Sequence, residues 1–316
     1  MTRSSGLCRT LADLGLEPLI DEPLSRHTSF GIGGPAALLV SVGSVRELAA
    51  ALNAARAAGV EPLLLGAGTN LLVSDEGFPG LAVHVELLDI HIDERSARVV
   101  AGAGVPATRL VDEAIAAGLA GLEFAAGLPG TVGGAVAGNA GCFGSSFGDL
   151  LAGATVVTRD GSVEELTDPR RFAFDYRCSS VADQGLAVAA ARFRLEPGDR
   201  AALERRAAGH LASRAERHPP PGARTAGSYF KNLPPEEPGG RRRGAGELLD
   251  RAGAKGLAVG DAAVFEGHAN IIVNRGGATA RDVLELARRL REIVRDRFGV
   301  ELEPEVRFVG PRPAGC

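Results

Sequence analysis

Lysine is almost missing from this chain: of its 35 basic residues only Lys231 and Lys255 are lysine. Where arginine is used so widely, a retained lysine is worth attention, because lysine is a compact, rotatable point charge and arginine a planar fork. The chain also lacks any run of 18 uninterrupted apolar residues, and Met1 to Pro18 has no basic stretch leading into an apolar one. We therefore expect a soluble, cytoplasmic protein with no membrane partner. The four cysteines (Cys8, Cys142, Cys178, Cys316) form no C-x-x-C pair, which argues against a zinc ribbon or a disulfide framework and leaves free thiols as the expectation. The six histidines contain no H-x-x-x-H pair, so no metal site is expected. Basic stripes with interleaved aromatics are missing too, and at a net charge of −4 nucleic acid is not an expected partner. No internal repeat or low-complexity tract is found.

What is present is glycine in two concentrated stretches. Residues 124–141 carry Gly127, Gly130, Gly133, Gly134, Gly138 and Gly141, and residues 62–73 run from a short apolar strand into Gly66-Ala67-Gly68-Thr69-Asn70 and back to apolar residues. Backbone without Cβ atoms can approach another molecule and aim several N–H groups at one anion. Two such loops suggest a diphosphate held between them, although an irregular connector would explain either one alone. A third candidate, Gly102-Ala103-Gly104-Val105-Pro106-Ala107, matches the outline of a dinucleotide fingerprint, but a tight strand-to-helix turn explains its glycines equally well.

With 316 residues, 45% of them hydrophobic, the chain can bury a large core and fill two domains. After an opening helix and loop comes a strand over 36–42. A helix follows, with Ser44 and Glu47 as its capping box, Leu48, Ala51, Leu52 and Ala55 on one face and Gly59 at its end. Residues 81–100 alternate like paired strands, Pro106 opens a helix ending at Gly118, and a hairpin turns on Asp160-Gly161. A strand over 187–195 and a charged helix over 199–217 lead into Pro219-Pro220-Pro221-Gly222, the clearest boundary. Beyond it, Thr279 and Asp282 cap a helix over 280–298 that has Val283, Ala287, Leu290 and Val294 on one face and stops at Gly299.

Three polar spots stand out: Phe174 to Ser179 around Arg177, Ala226 to Asn232 around Ser228, and Leu302 to Phe308 around Glu305. Taken singly, Arg177 fits a surface ion pair, Ser228 a turn hydroxyl and Glu305 an outward strand residue. The residues alone reach a two-domain, phosphate-binding protein and stop there.

Six motifs in order carry the reading further: G-A-G-T-N-L-L-V from Gly66, G-L-P-G-T-V-G-G-A from Gly127, Y-R-C-S from Tyr176, G-S-Y-F-K-N from Gly227, G-H-A-N-I-I-V-N from Gly267 and L-E-P-E-V-R-F-V-G from Leu302. Over about His27 to Gly310 the chain resembles the UDP-N-acetylenolpyruvoylglucosamine reductase family of bacterial wall synthesis. The resemblance implies an α+β protein, with a two-lobed FAD-binding domain of the vanillyl-alcohol-oxidase type followed by a smaller α+β substrate domain. The expected division is an N-terminal segment over 1–26, the FAD-binding domain over 27–198, a helix and proline linker over 199–222, the substrate domain over 223–310 and a tail over 311–316.

By the same resemblance FAD is bound non-covalently across Gly66, Ala67, Gly68, Thr69, Asn70 and Leu71 on one side. Gly127, Leu128, Pro129, Gly130, Thr131, Gly133, Gly134, Ala135, Asn139, Gly141 and Gly144 lie on the other. NADPH is the implied hydride donor, and the enolpyruvyl ether of UDP-N-acetylglucosamine the small-molecule substrate. Arg177 is implied to hold the substrate carboxylate, Ser228 to donate the proton, Glu305 to share a proton or hydrogen bond with that carboxylate, and Lys231 and Asn232 to contact the substrate diphosphate. His268, Ala269 and Asn270 are expected to be structural, and the protein to be a monomer. Gly31 and Leu233 depart from common family residues, and Pro234 to Gly246, with Arg241, Arg242 and Arg243, is longer than the family pattern. That segment reads as a solvated loop or as a contact for a phosphate of NADPH or UDP. No inserted tyrosine-bearing loop is found, which implies the branch without it. The competing readings are an oxygen-using oxidase of the same fold, which has no use for the Ser228 and Glu305 pair, and a binding protein without catalysis.

Overall fold

The computed structural model describes residues 3–181, 183–237 and 239–313; Cys316 and the last residues of the expected tail lie outside them. The chain folds as two compact units. The first comprises 1–22, 37–67 and 80–214; the second comprises 23–36, 68–79 and 215–316. Residues 27–36 and 68–79, placed with the FAD-binding domain by the sequence reading, thus cluster with the C-terminal unit, and the chain passes to that unit for good near Ala215, just before the proline run.

Besides two two-stranded pairs, the first unit has two larger sheets. One is four-stranded, in the order Leu19–Pro23, Pro35–Val42, Phe78–Val85, Pro62–Leu65, the last pair parallel. The helix Val45–Ala57 links two of its strands; Ser44 accepts a hydrogen bond from the Glu47 N–H, and Leu48, Ala51, Leu52 and Ala55 are buried, as the apolar spacing requires. The other sheet is five-stranded and antiparallel, in the order Val163–Leu166, Leu151–Val157, Ala187–Arg194, Arg98–Gly102, Ile90–Asp93. These two sheets are the two lobes. Their residues share one core that includes Val40, Leu48, Val83, Val99, Leu110, Val136, Phe147, Val156 and Phe193.

The second unit has its own core, from Phe30 and Leu72 to Leu290 and Val294. Its antiparallel sheet runs Thr225–Ser228, His268–Asn274, Ala262–Phe265, Ala258–Val259. The helix Ala280–Phe298 has the expected capping box of Thr279 and Asp282, and Gly299 closes it in the left-handed conformation. Its buried Val283, Leu286, Leu290 and Val294 each contribute roughly 1.5–3 kcal/mol. Asp75, 205 residues earlier, adds a second cap: its carboxylate accepts from the N–H groups of Ala280 (2.7 Å) and Arg281 (3.1 Å). Among the described residues no helix is long and apolar enough to cross a membrane, and no three His, Cys, Asp or Glu side chains gather as a metal site.

Candidate active site

In the first unit the two glycine stretches meet. A Cβ on Gly66 would overlap the Thr131 hydroxyl, so only glycine lets these loops approach so closely. The second loop is propped from behind by the stretch with the fingerprint outline: Val132 N–H donates to Val105 O, Gly133 N–H to Ala103 O and Ala107 N–H to Gly130 O, all at 2.9 Å. A Cβ on Gly104 would stand 2.6 Å from Val85 O. The glycines of 102–107 therefore serve close backbone packing and a strand-to-helix turn, and the stretch supports the loop instead of binding a dinucleotide itself. Thr131 caps the short helix Val132–Ala137.

Asn139 follows that helix at φ +42°, a left-handed conformation that asparagine tolerates better than most side chains. Its amide is engaged inside the protein at both ends, accepting from Gly148 N–H (3.0 Å) and donating to Asp175 O (2.9 Å). Gly141 and Cys142 then pair with Ser146 and Ser145 across the tight turn Phe143-Gly144. The Phe143 ring stacks on His210 with centroids 4.1 Å apart, which holds the turn against the helix Arg200–Ala215. On the same helix Arg214 donates to Cys142 Sγ at 2.8 Å. Burial pushes the Cys142 thiol up despite Arg214 and Arg177, so it stays protonated.

Arg177 stands on a two-residue turn closed by reciprocal backbone hydrogen bonds between Asp175 and Cys178, both 3.1 Å. Its own φ is +53° and its guanidinium donates to Gly141 O at 2.7 Å. A cavity of about 870 Å³ in the same unit is lined by Glu123, Phe143, Asp149, Arg194, Arg206 and His210 among others. None of the residues expected to bind the cofactor lines it.

In the second unit Ser228 ends an edge strand, opposite Ile271. The segment after it is held on both sides. Tyr229 N–H donates to Asn270 O (2.7 Å), and the buried Asn270 amide spans Phe230, accepting from its N–H (2.9 Å) and donating to its carbonyl (2.8 Å). One side chain thus replaces a strand's worth of pairing at that residue. From the other side Lys231 N–H donates to Glu303 O (2.9 Å) and Glu305 N–H to Tyr229 O (2.8 Å). Asn70 closes the ladder: its amide donates to Glu305 O (3.1 Å) and its carbonyl accepts from Arg307 N–H (3.0 Å), where Leu71–Val73 pairs in parallel with Arg307–Val309. Ser29 adds two bonds, its N–H to Gly68 O (3.2 Å) and its hydroxyl to Thr225 O (2.6 Å).

Ser228, Lys231, Asn232, Glu305 and the Gly68 to Leu71 end of the first loop are therefore brought together within one unit, while Arg177 belongs to the other. Lys231 pairs with Glu303 at 2.6 Å, and Asn232 Oδ1 accepts from Ala245 N–H. Arg241 and Arg243 border a cavity of about 420 Å³ whose walls also carry Glu236, Glu237 and Glu247, and Arg243 is paired with Glu236 at 3.2 Å. Sequence reasoning assigned no role to Ser29 or Ser179 and only a general structural one to Asn270. The Y-R-C-S and G-H-A-N strings were visible, but a side chain that hydrogen-bonds backbone far away leaves no local pattern.

Two family models match: an FAD binding domain over residues 36–167, and the C-terminal domain of UDP-N-acetylenolpyruvoylglucosamine reductase over 219–309. UDP-N-acetylenolpyruvoylglucosamine reductase 2 of Symbiobacterium thermophilum is 44% identical over 294 residues, covering 92% of each chain. The reductase of Rubrobacter xylanophilus is 42% identical, covering 92% of this chain and 94% of its own. Among solved structures, the crystal structure of UDP-N-acetylenolpyruvylglucosamine reductase from Thermus caldophilus superposes with a TM-score of 0.76 at 36% identity, over 93% of this chain and 99% of that one. The expected architecture, an FAD-binding domain followed by a smaller α+β domain, is the one found. The chain belongs to the UDP-N-acetylenolpyruvoylglucosamine reductase family.

Proposed function

We propose that this chain is an NADPH-dependent, FAD-containing reductase that converts UDP-N-acetylglucosamine enolpyruvate to UDP-N-acetylmuramate for peptidoglycan, acting in the cytoplasm as a monomer. The observation that carries the reading is the ladder joining the segment that follows Ser228 and holds Lys231 to the segment that holds Glu305, because an acid catalyst and its neighbours must keep a fixed spacing.

The residues present fit FAD. The two loops lean on each other at Gly66 and Thr131, yet a Cβ on Gly134 would meet nothing closer than 3.6 Å and one on Gly144 nothing within 4 Å, which leaves bare backbone for a diphosphate. These loops would hold FAD, which would supply hydride chemistry at the methylene carbon of the enolpyruvyl group, with NADPH as the source. Arg177 offers a permanently charged fork to the substrate carboxylate, into which negative charge spreads as the neighbouring carbon becomes carbanionic. Ser228 donates its hydroxyl proton to that carbon. A serine is a weak acid, so the step depends on a strongly basic acceptor and nearby cations. Glu305, held to the Tyr229 carbonyl through its own N–H, shares a hydrogen bond with the carboxylate. Lys231 and Asn232 face the diphosphate of UDP.

The test is an anaerobic spectrum of the purified protein, reduced with NADPH and then mixed with the enolpyruvyl substrate. Bleaching of the flavin band and its prompt return is the expected result. Colour that returns only with oxygen would turn the reading to an oxidase, and absence of flavin after added FAD would remove the two loops from the account.

A further inference from the structure

We infer that Asn139 is a positioning residue for Arg177, coupling the glycine loop to the turn that carries the arginine. The inference rests on the role proposed above for Arg177. It begins with three alternate residues where the helix Val132–Ala137 ends and the chain turns through the left-handed Asn139. Ala137 O accepts from the Ser179 hydroxyl (2.6 Å), the Asn139 amide donates to Asp175 O (2.9 Å), and Gly141 O accepts from the Arg177 guanidinium (2.7 Å). Residues 137, 139 and 141 thus form a rail on which the Asp175 to Ser179 turn is hung by three rungs.

The middle rung does the most to set direction. It grips the backbone of the turn at the first of its four residues, whereas the Gly141 rung grips only the end of a long side chain. Two residues after Asp175, Arg177 is already held in the left-handed region, so a shift of the Asp175 carbonyl swings the guanidinium directly. The other end of the Asn139 amide accepts from Gly148 N–H at the start of the helix Phe147–Leu150, and a Cβ on Gly148 would press on Asn139 Oδ1 at 2.8 Å. The amide is therefore wedged between two pieces of backbone. Asn139 is buried, and with both its ends engaged it serves the arginine turn and not the cofactor, the role the family resemblance had suggested.

Asn139→Gly tests this, because glycine adopts φ +42° without strain, so the backbone is kept while the amide's bonds to Asp175 O and Gly148 N–H are lost. We expect FAD content and anaerobic flavin reduction by NADPH to stay within about twofold of wild type. Flavin reoxidation by the enolpyruvyl substrate should slow by about tenfold to a hundredfold, with a raised KM, as for a misplaced positioning group. In an Arg177→Lys background, where the fork is already gone, Asn139→Gly should add less than about twofold, since residues acting through one another are not additive. Loss of FAD from Asn139→Gly, unchanged reoxidation, or an equal penalty with and without Arg177 would each overturn the inference. Wild-type reoxidation by Arg177→Lys itself would instead overturn the role of Arg177, so the two failures are told apart.

Discussion

Around the groups proposed to act, the two units keep fixed spacing by different chemical means: the first loop pair by missing side chains, the segment after Ser228 by side-chain amides. The first unit relies on missing side chains: Gly66 admits Thr131, Gly104 admits Val85, and the second loop hangs from main-chain bonds to Ala103 and Val105. The second unit relies on side-chain amides that stand in for main chain: Asn270 spans Phe230, Asn70 holds Glu305, and Asn274 bonds Phe30 O, Gly276 N–H and Ala278 N–H. The contrast follows from the ligands proposed for each. A diphosphate is gripped by bare N–H groups, which demands backbone without Cβ atoms, whereas a proton donor needs a side chain kept rigid, which demands packing and paired polar groups. Adding a methyl should therefore damage the first unit in the way that removing an amide damages the second.

Four substitutions probe that contrast, from the largest expected effect downward. Ser228→Ala should leave flavin reduction by NADPH near wild type and slow reoxidation by the enolpyruvyl substrate by about 10²–10⁴-fold, read by stopped-flow absorbance; equal slowing of both halves would remove Ser228 as the donor. Asn270→Ala leaves the N–H and carbonyl of Phe230 buried without partners and should destabilise the second unit by about 2–4 kcal/mol in urea unfolding. Gly66→Ala should weaken FAD binding by about tenfold or more, equivalent to about 1.4 kcal/mol, in a fluorescence titration of apoprotein. If the methyl is accommodated without loss of affinity, the idea that the first unit works through absent side chains fails.

The smallest effect concerns pH. His268 Nδ1 accepts from Asn270 N–H at 3.2 Å, and burial, with Arg217 and Lys255 nearby, holds its pKa below the usual 6.5. Between that value and the lower folded pKa the unfolded chain binds a proton that the folded one refuses, so stability falls as pH drops below about 6.5 and levels off once the folded residue protonates too. His268→Gln should flatten this part of a stability profile measured from pH 5 to 8.

The parts of this molecule legible in sequence are those written locally. The N-cap at Ser44, the capping box at Thr279, the helix stop at Gly299 and the turn at Asp160-Gly161 all lie where spacing put them, because caps and turns act over three or four residues; only the Glu47 half of the expected box at Ser44 differs, its carboxylate accepting from Gly43 N–H. The six motifs marked the candidate site residues for the same reason. What stayed hidden is long-range: Asp75 capping a helix 205 residues away, Asn70 bonded to Glu305 across 235, and residues 23–36 and 68–79 clustering with the C-terminal unit. A strand or a cap carries no label for a partner so distant. The stretch 102–107 teaches the converse, since glycines spaced for packing imitate glycines spaced for a nucleotide.

The parallel pair of Leu71–Val73 with Arg307–Val309 also dictates an order of events at the ribosome. Strand 71–73 emerges early and must wait for more than 230 further residues before its partner exists, and the backbone that flanks Tyr229 to Lys231 on the side of Glu303 and Glu305 arrives with that partner. Contacts so distant in sequence form slowly, whereas the first unit draws most of its sheet from the continuous stretch 80–214. The glycine-loop unit can thus pair most of its strands before the segment proposed to donate the proton gains its backbone neighbours at Glu303 and Glu305.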